Sequence, residues 1–299
     1  MSRNFNYYFL AIALGLTCVS CEKDKKDEPD NNGSSVMLPI PASVVDGVRL
    51  AKVGNIVNVS YNSDGSIAKA KIEDVSFEFE YATRAGESTG SKLQMIVVKN
   101  SWDYDKIVAT NFAFNTDGYI TKWMEKLEAE DEDYWEKATI NFTTDYNAAG
   151  QISQLNFSGK SEYYDPEDGH QTESGKGFVK YNYQGEKLIS STYDIPDEGK
   201  SVFSLGYDLA PANTYNIAPA PLYEVMGHGA VSEIANLFAM LGFLGKPSSH
   251  LPTSYSYSVD DYTDMAVVIS YRTNDANRVT AITYTLDGGS ATYDLDYNK

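Results

Sequence analysis

Cysteine, histidine and tryptophan are scarce in this sequence: 299 residues hold two Cys, three His and three Trp. Both cysteines, Cys18 and Cys21, sit at the N-terminus, so nothing downstream of them can build a disulfide framework or a thiolate metal site. His170, His228 and His250 lie too far apart in sequence to form a local metal pair, and they read as loop or capping residues. Positive charge is also short. The chain carries 24 Lys and Arg against 42 Asp and Glu, a formal net charge of −18, which excludes the basic footprint that nucleic acid requires.

Beyond the N-terminus no run is long and apolar enough for a transmembrane helix. No catalytic Ser elbow or zinc helix is present, and Gly227-His228-Gly229 lacks the Lys and Ser or Thr that complete a phosphate loop. No metal and no cofactor is therefore expected, and no catalytic residue is assigned.

What the chain does contain is a repeated phrase rich in β-forming residues. Tyr61-Asn62-Ser63-Asp64-Gly65-Ser66-Ile67 returns as Phe114 to Ile120 and as Tyr146 to Ile152, and in looser form as Tyr181 to Leu188 and Tyr271 to Val279. An aromatic residue, a short turn of Asp, Asn and Gly, and then an aliphatic residue form a hairpin signal, because Gly and Asn accept the positive φ that closes a tight turn. In the first three copies Gly stands four residues after the aromatic, which suits a type I turn ending in a left-handed residue. Ile67, Ala70 and Ile72 recur as Ile152, Leu155 and Phe157 and as Val279, Ile282 and Tyr284; the first step of three, where a strand steps by two, predicts one extra residue as a bulge. The second copy breaks the wording, with Glu125 at the third position. Asp64, Asp117 and Asp275 are read as turn formers, since these turns lack the spaced oxygen ligands that calcium needs.

Residues 1–20 read as a signal peptide: Arg3 is the positive start and Phe5 to Leu16 is mostly apolar, too short a run to span a bilayer comfortably. Cys18-Val19-Ser20-Cys21 resembles a bacterial lipobox, which implies cleavage before Cys21 and a lipid, palmitate included, on that residue. The following stretch to residue 36 is rich in charge, Pro, Gly and Ser and reads as a disordered acidic tether. Its Lys23 and neighbouring acids resemble the signal that exports lipoproteins to the outer face of the outer membrane, and they read equally as a solvated spacer.

Residues 37–299 read as one mainly β domain, a large antiparallel meander forming a curved sheet or partly closed barrel. Ala138, Ile140, Phe142 and Thr144 alternate with Thr139, Asn141, Thr143 and Asp145, the mark of a sheet with one buried and one wet face. The pattern changes in an insertion over 219–247. There Val231, Ile234, Ala235, Phe238 and Leu241 follow helical spacing within an apolar stretch from Leu222 to Leu244, predicting one helix packed on or inside the sheet and stopped by Gly245 and Pro247. The acidic run Glu128 to Asp133 reads as a solvated hairpin tip.

Together the signal, the tether and the Tyr-turn-Gly-x-Ile hairpins resemble Bacteroidota outer-membrane lipoproteins of unknown function with a porin-like β fold; the wording is also similar to the YD repeats of secreted bacterial shell proteins. The resemblance implies a lipid-anchored protein of the cell outer membrane, facing the extracellular side, with the membrane lipid as a partner through Cys21. The expected role is non-enzymatic binding of a glycan, a peptide or a partner protein through exposed aromatics and loops. Two other readings remain open: a glycan hydrolase using paired carboxylates, and an integral outer-membrane β-barrel.

Overall fold

The computed structural model describes residues 48–63, 65–83, 91–101, 104–131, 134–166, 169–195, 199–214, 232–259, 262–286 and 289–298. The sequence segments read as signal peptide and tether lie outside them, as does residue Cys21. The strands are β1 (Arg49–Val53), β2 (Val57–Tyr61), β3 (Ile67–Ile72), β4 (Val75–Thr83), β5 (Ser91–Lys99), β6 (Lys106–Phe114), β7 (Ile120–Glu130) and β8 (Trp135–Tyr146), then β9 (Ile152–Asp165), β10 (Gly169–Gln184), β11 (Lys187–Ile195), β12 (Gly199–Gly206), β13 (Ser254–Val259), β14 (Tyr262–Thr273), β15 (Val279–Leu286) and β16 (Gly289–Asn298). Each pairs antiparallel with the next, and β1 pairs with β16, so the meander closes into a barrel of 16 strands. Closure satisfies the backbone groups that an edge strand leaves unpaired.

Alternation sorts the two faces of the wall. On β8, Ala138, Ile140, Phe142 and Thr144 are buried, while Lys137, Asn141, Thr143 and Asp145 are exposed. The same sorting puts Ile67, Ala70 and Ile72 inside and Lys69 and Lys71 outside on β3. Apolar side chains thus fill the interior, and the outer surface carries ion pairs such as Lys69 and Lys99 on Glu78, at 2.9 and 2.6 Å.

One end of the barrel, the turn end, gathers every copy of the repeated phrase. Gly65, Gly118 and Gly150 have φ of 88°, 84° and 77°, and Asn277 takes the same role at 57°. In all four turns the residue at this position donates its N–H back to Asn62, Asn115, Asn147 or Asn274. The Asn side chains fix the loop: Asn115 Oδ1 accepts from the N–H groups of Asp117 and Tyr119, Asn147 Oδ1 from Ala149 and Gln151, and Asn274 Oδ1 from Ala276 and Arg278. Directly after each turn the register slips, as where Tyr61 faces Ile67 but Ser60 faces Lys69, leaving Ala68 as the extra residue. The same slip follows Ile120, Ile152, Leu188 and Val279. The fourth copy shifts from the sequence reading: its two-residue turn sets Tyr183, not Tyr181, opposite Leu188.

Tyrosines near the turn end, three of them the aromatic residue of the phrase (Tyr61, Tyr146 and Tyr271), act as ties. Tyr61 donates its phenol to the carbonyl of Leu50 at 2.8 Å, one strand back, and Tyr81 reaches Ile67, Tyr207 reaches Leu188 and Tyr297 reaches Val279 at 2.8 to 2.9 Å. Tyr146 makes the corresponding bond to Ile120, and Tyr271 bonds Pro252. The ends of β2, β4, β8, β12, β14 and β16 are thus latched to the start of the preceding hairpin or crossover at the turn end, whereas β6 ends in Phe114, which has no hydroxyl, and Tyr183 of β10 makes no such bond.

The crossover between β12 and β13 carries helix α1 (Glu233–Met240) inside the barrel, where Ile234 to Met240 are all buried. The helix is shorter than the predicted Leu222 to Leu244 segment, whose first part lies outside the described residues. It also stops earlier than predicted. Gly242, at φ 79°, takes the left-handed position, and the N–H groups of Gly242 and Phe243 bond the carbonyls of Ala239 and Phe238. This is a Schellman ending, and the rings of Phe238 and Phe243 pack across it with centroids 5.7 Å apart. Gly245 serves instead as a close-contact residue, where a Cβ would stand 2.8 Å from the Gly150 carbonyl.

Residues 243–253 then run as a strap over the turn end. The N–H of Ile120 bonds the Phe243 carbonyl, that of Lys246 bonds Gly150, Ser249 bonds Glu186 and Leu251 bonds Pro211. Helix and strap together seal this end of the barrel.

Candidate functional site

Two polar clusters interrupt the apolar interior. The deeper one is built where β7 meets the start of α1. Glu125 faces inward between Trp123 and Leu127, and it is 1% exposed. Its Oε1 accepts from Trp123 Nε1 at 2.7 Å and from Ser232 Oγ at 2.5 Å. The same Ser232 oxygen accepts from the N–H groups of Ile234 and Ala235, so the hydroxyl caps the helix while donating to the wall. Burial pushes the Glu125 carboxyl up to about 7, the two hydrogen bonds resist, and the Glu233 charge adds to the rise. Glu233 itself receives a bond from Ser101 Oγ at 2.9 Å. Around this cluster Trp123 stacks on Phe142 at 4.5 Å and meets Phe238 edge-on at 5.3 Å. The arrangement orients and locks the helix; it is a structural tie.

The second cluster lies toward the other end of the barrel. The wall there is very uneven, because β10 has 16 residues and β1 has five. β8, β9 and β10 stand up as a visor. Its inner face carries Glu136 opposite Tyr163, which is opposite Gln171, and Ser161 opposite Glu173. Tyr134 donates to Glu136 at 2.9 Å and Tyr163 to Glu173 at 2.6 Å. Burial raises the Glu136 carboxyl above its ordinary value, the Tyr134 bond opposes this, and the charge of Glu173 raises it further. Below the acids, Gly159 faces Gly175 and Gly177 faces Phe157, and a Cβ at Gly159 would already stand 3.3 Å from Ile140 Cγ1.

Beneath these positions the floor is aromatic. Phe157 stacks on Tyr193 with centroids 6.0 Å apart and planes 14° apart, and Phe203 meets Tyr257 at 4.6 Å. Glu136, Gln171, Glu173, Gly175, Gly177, Tyr193, Phe203 and Tyr257 are all partly exposed, so solvent reaches this inner face. Ser191, directly beside Tyr193 and Phe203 on the inward face of β11, is fully buried and its hydroxyl has no partner. Among the described inward positions of this half no Lys or Arg appears. The chemistry on offer is hydrogen-bond acceptance at two carboxylates, stacking on flat rings, and repulsion of anions.

The residues weighed in the sequence do not converge. His170 lies on the outer face with its ring 5.6 Å from that of Trp135, His250 bonds Ser249 in the strap, and His228 falls outside the described residues. Trp123 is core, Trp135 is outside, and Trp102 falls outside the described residues. Glu128 of the acidic run pairs with Lys106 at 3.3 Å on the outer face. The sequence signal for Glu125 was present, as the one acid at an inward position of the repeated phrase. Glu136 and Glu173 gave none, since pairing across β9 brings them to one face.

No protein-family model and no curated protein matches this chain. Among solved structures the fold is similar to a porin-like protein from Bacteroides vulgatus, at a TM-score of 0.53 and 16% identity over 83% of this chain and 98% of that one. A porin-like protein from Bacteroides uniformis aligns at a TM-score of 0.47 and 14% identity over 81% of this chain and 89% of that one. At such identity the likeness to the first is one of fold: a closed antiparallel β-barrel.

Proposed function

We propose that this chain is a cell-envelope protein, held at the outer membrane by a lipid on Cys21, whose barrel stands in water and receives a ligand in the visor-lined cup without converting it. The sorting of the wall carries this reading. A barrel embedded in a bilayer turns an apolar band about 25 Å tall outward, whereas this one turns Lys69, Lys71, Lys137, Asn141 and Asp145 outward and its aliphatic residues inward. Lipid-facing Lys at the bilayer midplane costs about 2–4 kcal/mol each. The likeness to the porin-like protein from Bacteroides vulgatus and the lipobox-like N-terminus support an outer-membrane location.

The test uses two chains. A protein starting at Val36 keeps all 16 strands and is expected to be monodisperse in detergent-free buffer. The full chain is expected to partition into the detergent phase of Triton X-114 and to lose that behaviour with Cys21→Ala. A Val36 chain that stays soluble only in detergent would establish an integral barrel instead.

The hydrolase reading draws on one observation, the carboxyl pair Glu136 and Glu173 on a common inner face. Release of sugar from a glycan, abolished by either Glu136→Gln or Glu173→Gln, would overturn the binding role.

A further inference from the structure

We propose that the outer wall of β8 to β10 carries a separate ligand site, a cleft that takes a compact anionic saccharide: one or two sugar rings bearing a carboxylate, sulfate or phosphate. Strand register builds the cleft. Ser158 faces outward at its centre, with Asn141 opposite on β8 and Lys176 opposite on β10, and Thr143, Asn156 and Phe178 form the next row. A short side chain set among longer ones leaves a hollow. These six side chains line about 350 Å³ of open cleft, a volume in the range of small-molecule sites.

Charge selects the ligand class. The chain as a whole holds 42 acids against 24 bases, and this part of the wall inverts that balance. In the outward rows from Thr139 to Asp145 stand Lys122 and Lys126 on β7, Lys160 on β9 and Lys176 and Lys180 on β10, against one acid, Asp145. Lys160 pairs with Glu162 at 2.7 Å, and among the described residues the other four lysines have no acidic partner. Charges separated by more than about 8 Å are largely screened at physiological ionic strength, and four strands span roughly 15 Å. The lysines of this block, rather than the acids of the far wall, therefore set the potential at the cleft. A long polyanion would run off the block onto acidic surface, so the ligand is compact.

The remaining groups suit a ring with hydroxyls. Phe178 points outward, is half-buried and has no ring partner among the described residues, so its ring is available to the apolar face that C–H groups give a sugar. Asn141, Thr143 and Ser158 are exposed, and among the described residues their side chains make no hydrogen bond. An amide and two hydroxyls both donate and accept, as sugar hydroxyls require. Asn156 is fixed beside them: its Nδ2 donates to Asp145 at 3.1 Å and its Oδ1 accepts from Gln154. A single-stranded nucleic acid, the competing anion, stacks successive bases on several aromatic rings; this block offers one.

The site asks only that the outer wall face water, which the detergent-free solubility of the Val36 chain reads separately. Isothermal titration calorimetry on the full chain in a sugar-free nonionic detergent tests the cleft, with digalacturonate, chondroitin sulfate disaccharide, glucose 6-phosphate, lipid A, lactose, inorganic phosphate and hexathymidylate as probes. At least one of the first four is expected to bind tenfold or more tightly than lactose and inorganic phosphate, and to weaken as salt is raised. Binding of lipid A alone assigns the site to a membrane headgroup, and binding of a free sugar to a soluble source. Lys176→Gln and Phe178→Ser are expected to weaken binding tenfold or more. Ser158→Ile, which fills the floor and removes no charge, is expected to abolish it, all three at unchanged unfolding midpoints. Lys52→Gln makes the same charge change on β1, eight strands from β9 around the barrel, and serves as the control. Lactose or inorganic phosphate binding as tightly as the anionic sugars, or hexathymidylate binding more tightly, would overturn the anionic saccharide. Binding indifferent to the three variants, or binding of no probe, would overturn the site.

Discussion

At the scale of single residues, the interior polar groups divide by whether they have partners, and their substitution should divide the same way. Tyr61 has a carbonyl acceptor at 2.8 Å, but the buried Tyr183 hydroxyl has none. Tyr61→Phe is expected to cost about 1 kcal/mol, the net worth of one hydrogen bond, while Tyr183→Phe is neutral or stabilising, because it removes an unsatisfied group. Urea midpoints of the two variants check this; equal losses would contradict it. Glu125 makes a pH prediction. Its carboxyl is raised from an ordinary 4.5 to about 7 in the folded protein, so the folded state holds the proton more tightly than the unfolded chain. The stabilisation is complete below the ordinary value and disappears as pH rises through about 7, with a total on the order of 3 kcal/mol. Glu125→Gln keeps an acceptor for Trp123 and Ser232 and removes the titration. Its urea midpoint is expected to stay level from pH 5 to pH 8, where the parent's falls; parallel slopes would assign the pH dependence to another group.

At the scale of elements, the hairpin turns are held by Asn rather than by Asp. Asn115 Oδ1 accepts two backbone N–H groups, from Asp117 and Tyr119, within a turn whose Gly118 has φ of 84°. Asn115→Ala is expected to cost about 1–2 kcal/mol through those lost bonds, whereas Asp117→Ala stays within about 0.5 kcal/mol. Thermal unfolding of both variants measures the contrast, and an equal cost would return the turn to Asp. Why the sequence reading favoured Asp and Gly follows from the same geometry: both residue types populate turns, and only the hydrogen-bond pattern shows which side chain closes the loop. The bulge after each turn was legible because its extra residue shifts the apolar period from two to three. The end of α1 was not legible, because Gly242 and Gly245 are equally suitable breakers in sequence and the Schellman bonds to Phe238 and Ala239 select the first.

At the scale of the molecule, the barrel depends on one non-local seam, the pairing of β1 with β16 from Arg49–Asn298 to Val53–Leu295. Ending the chain at Leu286 deletes β16 and exposes unpaired edges on β1 and β15. Such a chain is expected to aggregate, as read by size-exclusion chromatography; a monodisperse product would show that the seam is dispensable. The apolar helix inside this closed wall explains how α1 stays buried over every residue from Ile234 to Met240.

The sequence alone determined the strand chemistry. Alternation in segments such as Ala138 to Asp145, the Asn and Gly turns, the bulges and the buried character of the helical segment all follow from interactions between residues close in the chain, and each leaves a period or a residue type behind. Tertiary structure alone decided closure, the number of strands and the content of the cup. Whether a curved sheet closes depends on the accumulated bend of many bulged hairpins and on one pairing across more than two hundred residues, and neither has a local signature. Glu136 and Glu173, Phe157 and Tyr193, and Ser191 beside Phe203 become neighbours only through strand register, so this inner face was written in the pairing of the wall.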